Sequence, residues 1–295
     1  MTATFKLATG PVTWGIDFAD APTNPPWQDV LDDIGRSTVK AMEIGPLGYL
    51  PEGKEELQSA LSSRGIVSCG SNLFTQFHNP DKAEAIVATA ERAAQWMENG
   101  GGGAFVIIDQ PDDIRAATAG RPAVAPRLQG ARWRKMLDTI ERVADIARNH
   151  GMRPGVHPHA GGYIEFIDEI ERLVEDSSLD LCLDSGHLAY ARTSPVEALA
   201  RFGDRLGHFH FKDVRQPVLD CIDAEGLTFW EAIAEGVFCP MGEGVVDTAA
   251  VCAELERIGY AGYAVIEQDR VPGMGSPLDD LERSAAVIEA ARGGR

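Results

Sequence analysis

The stretch LCLDSGHLAY, residues 181–190, reads as a buried strand that ends in chemistry. Leu181 to Leu183 are a short apolar run, and Asp184, Ser185, Gly186 and His187 follow at once. Such a run is what a strand buried on both faces looks like, as in a parallel α/β sheet. In those folds the C-terminal strand ends are where polar groups gather to form a site.

The same pattern recurs along the chain. Strand candidates are KLATGPVTW (6–14), VKAMEIG (39–45), GIVSCGS (65–71), AFVIID (104–109), RPGVH (153–157), LDLCLD (179–184), LGHFHFKD (206–213) and GYAVIEQ (262–268). Helical patterns fall between them at 27–36, 54–64, 81–98, 131–150, 163–176, 194–202, 247–258 and 277–292. Capping residues with proline (NPD, TSP, GSP) open three of these, and Gly65, Gly151, Gly203 and Gly259 sit where C-terminal caps belong. Strict strand–helix alternation through eight units predicts a single (β/α)8 TIM barrel spanning 1–295, with a doubly wound open sheet as the competitor. Two long connections, 110–130 and 213–246, follow strands and are expected to lie over the C-terminal mouth. The glycines of NGGGG (99–103) follow a helix and precede a strand, the reverse of a phosphate cradle, and read as a helix terminus and turn.

Composition narrows the partners. The formal net charge is −18, with 27 basic and 45 acidic side chains, which repels phosphate backbones and argues against nucleic acid. No apolar run reaches the roughly 18–20 residues that span a bilayer, and the N-terminus lacks the apolar core of a signal peptide. Five scattered cysteines without a CxxC pair read as reduced thiols, so a cytoplasmic protein is expected. A homo-oligomer is left open.

In a barrel the strand ends converge. They carry Trp14, Glu43, Ser71 and Asn72, Asp109, His157 and His159, Asp184 and His187, His210 and Lys212, and Glu267. Oxygen and imidazole groups from separate strands make an open site for one divalent cation, Mn²⁺ or Co²⁺ before Zn²⁺ or Mg²⁺. Each residue also has a plainer use. Asp184 would serve as a helix cap, His187 as a satisfied buried histidine, and Glu267 as a partner for an arginine. His208 and His210 share a strand face, so one would pack at the barrel base while the other works at the mouth. Four consecutive ends with such groups favour the metal site.

At these residues the chain resembles the xylose-isomerase-like barrel superfamily, which includes sugar isomerases and epimerases, inosose dehydratase and endonuclease IV. GPVTWGIDF, EIGPLGYLP, VHPHAGGYIE, DSGHLAYA, RLGHFHFKDV, GVFCPMGEGVVD and GYAVIEQD are most similar to the inosose dehydratase branch. The resemblance implies Asp184, His210 and Glu267 as metal ligands. The fourth ligand of the superfamily, a glutamate ending the fifth strand, is replaced here by His157, so Glu165 is expected to swing back or His157 to serve instead. The histidines that three-zinc repair nucleases need are missing, since Phe238 stands at one of their places.

The implied chemistry is an enolate stabilised by a metal, leading either to dehydration or to isomerisation and epimerisation of a keto-polyol or ketose. His157, His159 and His187 are the expected proton carriers, and Lys212 an enolate stabiliser or base. Trp14, Asn72 and Phe74 would line the substrate and Glu43 would bind its hydroxyls. With one of the usual paired glutamates absent, dehydration of an inosose leads over epimerisation. A non-catalytic sugar-binding barrel is the alternative of another class.

Overall fold

The structure, a computed structural model, describes residues 5–293. Eight parallel strands close into a barrel: Lys6–Thr9, Ala41–Glu43, Val67–Thr75, Ala104–Asp109, Arg153–His157, Asp180–Asp184, Leu206–Phe211 and Tyr263–Ile266. Each strand pairs with its sequence neighbours, and the first closes on the eighth.

Alternation along the strands explains why one sequence both packs and reacts. Leu181, Leu183, Phe209 and Phe211 join the main core beneath the helices. Their alternates do not. Cys182 clusters with Ala104, Val106 and Ile108, while Ala8, Ala41, Cys69 and Val265 form another small group. Small side chains thus fill the inner face of the barrel where it is narrow. On the seventh strand the inward positions are His208 and His210, both fully polar and both buried. Register then sets the site, since Asp184 pairs with His210, and His210 with Val265 two residues before Glu267.

The helices follow from simple patterns. Trp27–Arg36 buries Val30, Leu31 and Ile34, spaced as one helical face. Each such side chain contributes roughly 1.5–3 kcal/mol when buried, so a charge at Ile34 would detach the helix. Asn79 Oδ1 accepts from Asp81 N at 3.1 Å and Ser194 Oγ from Glu197 N at 3.3 Å, the caps that NPD and TSP suggested. Gly101 ends the helix Ala83–Gly100 in the left-handed region, and at Gly103 a Cβ would lie 2.1 Å from Cys69 O. The glycine run therefore serves a helix end and a close backbone approach.

Several local expectations are corrected. The first strand stops at Thr9, and Pro11–Trp14 form a 3-10 turn, because Pro11 has no N–H for a sheet ladder. The third strand runs on to Thr75, pairing with Ala104–Asp109 along its length. The helix expected from 163 begins only at Ile167, after an irregular PHAGGYIEF segment. Gly203 is right-handed and starts a 3-10 turn; what it provides is clearance, since a Cβ there would stand 2.9 Å from Ile258 Cγ2.

Neither long connection is bare loop. Residues 110–130 contain the helix Asp113–Ala116. Residues 213–246 contain helices Gln216–Glu225 and Phe229–Ala234 and an antiparallel ribbon of Asp213–Val214 with Phe238–Cys239. This segment has its own apolar cluster, with Leu219, Ile222, Phe229, Ile233 and Phe238 around Tyr190. Asp213 ties it down: Oδ1 accepts from Val214 and Val246 N–H, and Oδ2 from Gly242 and Gly244 N–H, all at 2.8–3.0 Å. Among the described residues all five cysteines are free, and no helix is long and apolar enough to cross a membrane.

Candidate active site

Asp184, His210 and Glu267 meet at the mouth, with their ligating atoms within 4.8 Å of one another and all three side chains buried. Asp184 divides its carboxylate. Oδ1 caps the short helix Ser185–Tyr190, accepting from Gly186 N at 2.6 Å and His187 N at 2.9 Å. Oδ2 makes no hydrogen bond, nor does Nδ1 of His210, although both are buried. That nitrogen stands 3.1 Å from Glu267 Oε2 and 3.8 Å from Asp184 Oδ2.

Buried ligand-type atoms that make no hydrogen bond, and meet only the charges of Glu267 and Lys212 at 3.1 and 3.4 Å, are open to a ligand. The electrostatics say which kind. Burial opposes a charge on His210, yet Cys182, Glu267 and Glu43 hold its pKa well above the usual imidazole range. A carboxylate-rich pocket that draws a proton onto an imidazole is one that would take a cation. Two carboxylate oxygens and one imidazole nitrogen fit a divalent ion.

Lys212 enters from the seventh strand. Its Nζ lies 2.7 Å from Asp269 Oδ1, 3.2 Å from Glu267 Oε2 and 3.4 Å from Asp184 Oδ2. Burial would strip its charge, but these carboxylates raise its pKa instead. The position exists because residue 186 is glycine, where a Cβ would fall 2.5 Å from Lys212 Cγ.

The backbone assigns the histidine nitrogens. His157 Nδ1 meets Cys182 O at 2.9 Å and His159 Nδ1 meets Ala160 O at 2.9 Å. A carbonyl only accepts, so both rings carry their proton on Nδ1 and bare Nε2. His187 meets a donor on each side: its Nδ1 faces Ala160 N–H at 3.2 Å, and its Nε2 stands 3.0 Å from the Lys212 ammonium, which can only donate, and 3.5 Å from Asp269 Oδ2. That carboxylate oxygen has no hydrogen bond. Burial, helped by the Lys212 charge, holds His159 down to about 3, so it is neutral. The His159 and His187 rings are 4.1 Å apart, and Phe229 and Phe238 cover them at 5.2 Å.

Of the other residues expected at the site, Asn72 and Phe74 line the pocket together with His157, His159, His187 and Lys212. The Phe74 ring lies tilted against that of His159, 5.2 Å away. Three do not join them. Trp14 is buried in the main core with its Nε1 donating to Asp33, because the 3-10 turn directs it outward from the barrel. Glu43 is under the mouth, where Oε1 accepts from His208 Nε2 at 2.8 Å and His210 Nε2 at 3.0 Å. Glu165 does not swing back toward the metal groups. It pairs with the wholly buried Arg115 at 3.0 Å and accepts from Gly120 N at 2.7 Å, and burial lifts its pKa to about 7. His157, by contrast, brings a ring nitrogen within 4.8 Å of Asp184.

Sequence reasoning missed Asp17 and Asp269, which also line the pocket. Burial and neighbouring Glu267 push Asp269 to about 6; burial and Asp269 push Asp17 to about 7. Asp269 was within reach of the alternation that placed Glu267 two residues earlier. Asp17 lies beyond the 3-10 turn and has no periodic signal.

Comparison with known proteins agrees with this architecture. The chain is 28% identical over 291 residues to an inosose dehydratase of Geobacillus kaustophilus, covering 97% of this chain and 94% of the relative. It is 29% identical to the rhizopine catabolism protein MocC of Rhizobium meliloti, covering 96% and 89%. Among solved structures, a probable 3-DHS dehydratase AsbF of Bacillus anthracis superposes with a TM-score of 0.73 at 14% identity, covering 97% of this chain and 99% of that one. IolI protein with a bound zinc atom superposes with a TM-score of 0.71 at 15% identity, covering 98% and 99%. The family model of the xylose isomerase-like TIM barrel matches residues 29–291, and the chain belongs to that family.

Proposed function

We propose that the protein is a metal-dependent dehydratase acting on a keto-polyol of the inosose type. The single observation that carries this reading is the bare imidazole nitrogen on His159, in a ring 4.1 Å from that of His187 and beside Asp184, His210 and Glu267. The names of the sequence relatives support the substrate class.

Asp184, His210 and Glu267 would hold the ion, with His157 rather than Glu165 as the fourth ligand, since Glu165 is engaged by Arg115. Mn²⁺ or Co²⁺ suits this mixed nitrogen and oxygen set. Such an ion supplies Lewis-acid polarisation of a substrate oxygen.

The chain's own residues do the rest. His159 Nε2 accepts the proton from the carbon next to the carbonyl, and the electrons of that C–H bond form the new double bond. The neighbouring C–O bond breaks, and the imidazolium returns its proton to the departing hydroxyl, which leaves as water. The Lys212 ammonium stands 3.0 Å from His187 Nε2, and a substrate oxygen beside it accepts from the ammonium. Phe229 and Phe238 keep bulk water from the two histidines. A two-carboxylate epimerase needs a second glutamate opposite Glu267, and Glu165, the candidate for that place, is engaged by Arg115.

The test is incubation of the metal-loaded protein with an inosose in D₂O, followed by NMR and ultraviolet absorbance. Loss of water with an enone chromophore is expected. Deuterium uptake with every hydroxyl retained would instead assign an isomerase or epimerase, and no reaction of a metal-replete sample with any keto-sugar would favour a binding protein.

A further inference from the structure

Among the described residues, Glu43 is the one strand-end carboxylate whose oxygen is engaged by two imidazoles. It is 1% exposed, and His208 and His210, also buried, both direct Nε2 at the same oxygen, Oε1. The second strand is irregular at this point: its register against the third strand shifts between Met42 and Glu43. Bulges of this kind re-aim a side chain and recur next to active sites. An oxygen that accepts from both rings holds each of them by the same nitrogen. For His210 that leaves Nδ1, the atom 3.1 Å from Glu267 Oε2, as the one turned to the mouth.

We propose that Glu43 and His208 are positioning residues for the metal centre, Glu43 fixing the ring of His210 by its Nε2–H and His208 fixing Glu43 from below. The proposal rests on the reading of Asp184, His210 and Glu267 as metal ligands. A ligating histidine whose other N–H is held by a carboxylate is better oriented and more basic, and loss of such a partner weakens metal binding by roughly 10–100-fold. His208 adds a second tie to the same oxygen, so the carboxylate cannot rotate away from His210. Neither residue reaches substrate: neither lines the pocket that holds His159, His187 and Lys212.

Glu43, His208 and His210 also have ligand atoms close enough to hold a metal of their own. The distances of 2.8 and 3.0 Å to a single oxygen are those of N–H donors on an acceptor, which favours the clamp over a second ion.

The experiment is titration of the metal-free chain with Mn²⁺ by calorimetry and with Co²⁺ by visible absorption, for wild type, Glu43→Gln, His208→Leu and His208→Gln. Circular dichroism melts accompany each. Glu43→Gln is expected to weaken Mn²⁺ binding by roughly 10–100-fold and to change the Co²⁺ spectrum. His208→Leu is expected to weaken it less. His208→Gln, whose amide N–H can take the place of Nε2–H, is expected to recover most of the affinity. A purely structural role would lower the melting temperature of these variants and leave the dissociation constant and Co²⁺ spectrum unchanged, which overturns the clamp. Two ions per wild-type chain, one of them lost in His208→Leu, also overturns it. A wild-type chain that takes up neither ion would overturn the metal reading itself, whereas equal binding with and without Glu43 sinks only the clamp.

Discussion

Nδ1 of His210 lies 3.8 Å from Oδ2 of Asp184, and neither atom makes a hydrogen bond, though both are buried. The other carboxylate oxygen of Asp184 is spent on two backbone N–H groups at the start of the next helix. A capping role and a ligand role are therefore not alternatives for this residue. One oxygen serves each, and the cap fixes the direction of the other, which stands 3.4 Å from the Lys212 ammonium.

Asp184→Asn should separate the two roles. The amide oxygen can keep the cap, while the neutral side chain is a poorer ligand. Metal affinity is expected to fall at least roughly 10-fold, with the melting temperature little changed. Asp184→Ala should lose the metal and, in addition, about 0.5–2 kcal/mol of stability with the cap. Metal analysis after dialysis and thermal unfolding measure the two effects. Full metal retention in both variants would contradict the assignment.

Gly186→Ala tests how Lys212 is held. The added methyl would sit 2.5 Å from Lys212 Cγ and 2.6 Å from its Cβ, near the backbone end of the side chain, so the lysine must move. Overpacking of this kind costs about 1–3 kcal/mol. Displacement of a catalytic group by about 1 Å costs roughly 100-fold in rate. The expected result is a folded protein with bound metal and a kcat reduced by about that factor. Wild-type kcat would mean that Lys212 contributes little to turnover.

Asp213→Asn should loosen the segment 213–246. The aspartate accepts four backbone N–H groups on two oxygens, and asparagine offers one acceptor and places an NH₂ against the other donors. A buried unsatisfied group costs about 1–3 kcal/mol. Limited proteolysis is expected to cut within 213–246 faster in the variant than in wild type. Equal cleavage rates would show that the apolar cluster around Phe229 holds the segment without Asp213.

Glu165 makes a pH-dependent prediction. Its pKa rises from the ordinary 4.5 to about 7, chiefly through burial. A carboxyl with a raised folded pKa keeps its proton in the native state after the unfolded chain has released it. Wild type therefore loses stability as pH rises from about 4.5 to about 7, and a glutamine at this position does not. In urea unfolding, Glu165→Gln should gain on wild type between pH 5 and pH 8, with metal content unchanged at both. Loss of metal would restore Glu165 as a ligand.

Much of the fold was legible in the sequence because its signals are local. The apolar runs around LCLD and HFHF, the amphipathic stretch at 27–36 and the caps at Asn79 and Ser194 each follow from a few neighbouring residues. Alternation along a strand determined that His208 and His210 share the inner face, and strand-end position brought Asp184, His210 and Glu267 to one mouth. What remained hidden depends on groups far apart in the chain. Trp14 faces the core because Pro11 ends the first strand early and the turn redirects the ring. Glu165 is drawn away by Arg115, fifty residues earlier, whose buried charge must have a carboxylate. Glu43 is held by two histidines more than 160 residues further on, a contact only barrel closure creates. The sequence by itself determined which strand-end residues could reach the mouth, though not Asp17, which lies beyond a turn. Only the tertiary structure decided which of them are free there, since a buried carboxylate or imidazole goes to whichever partner satisfies it.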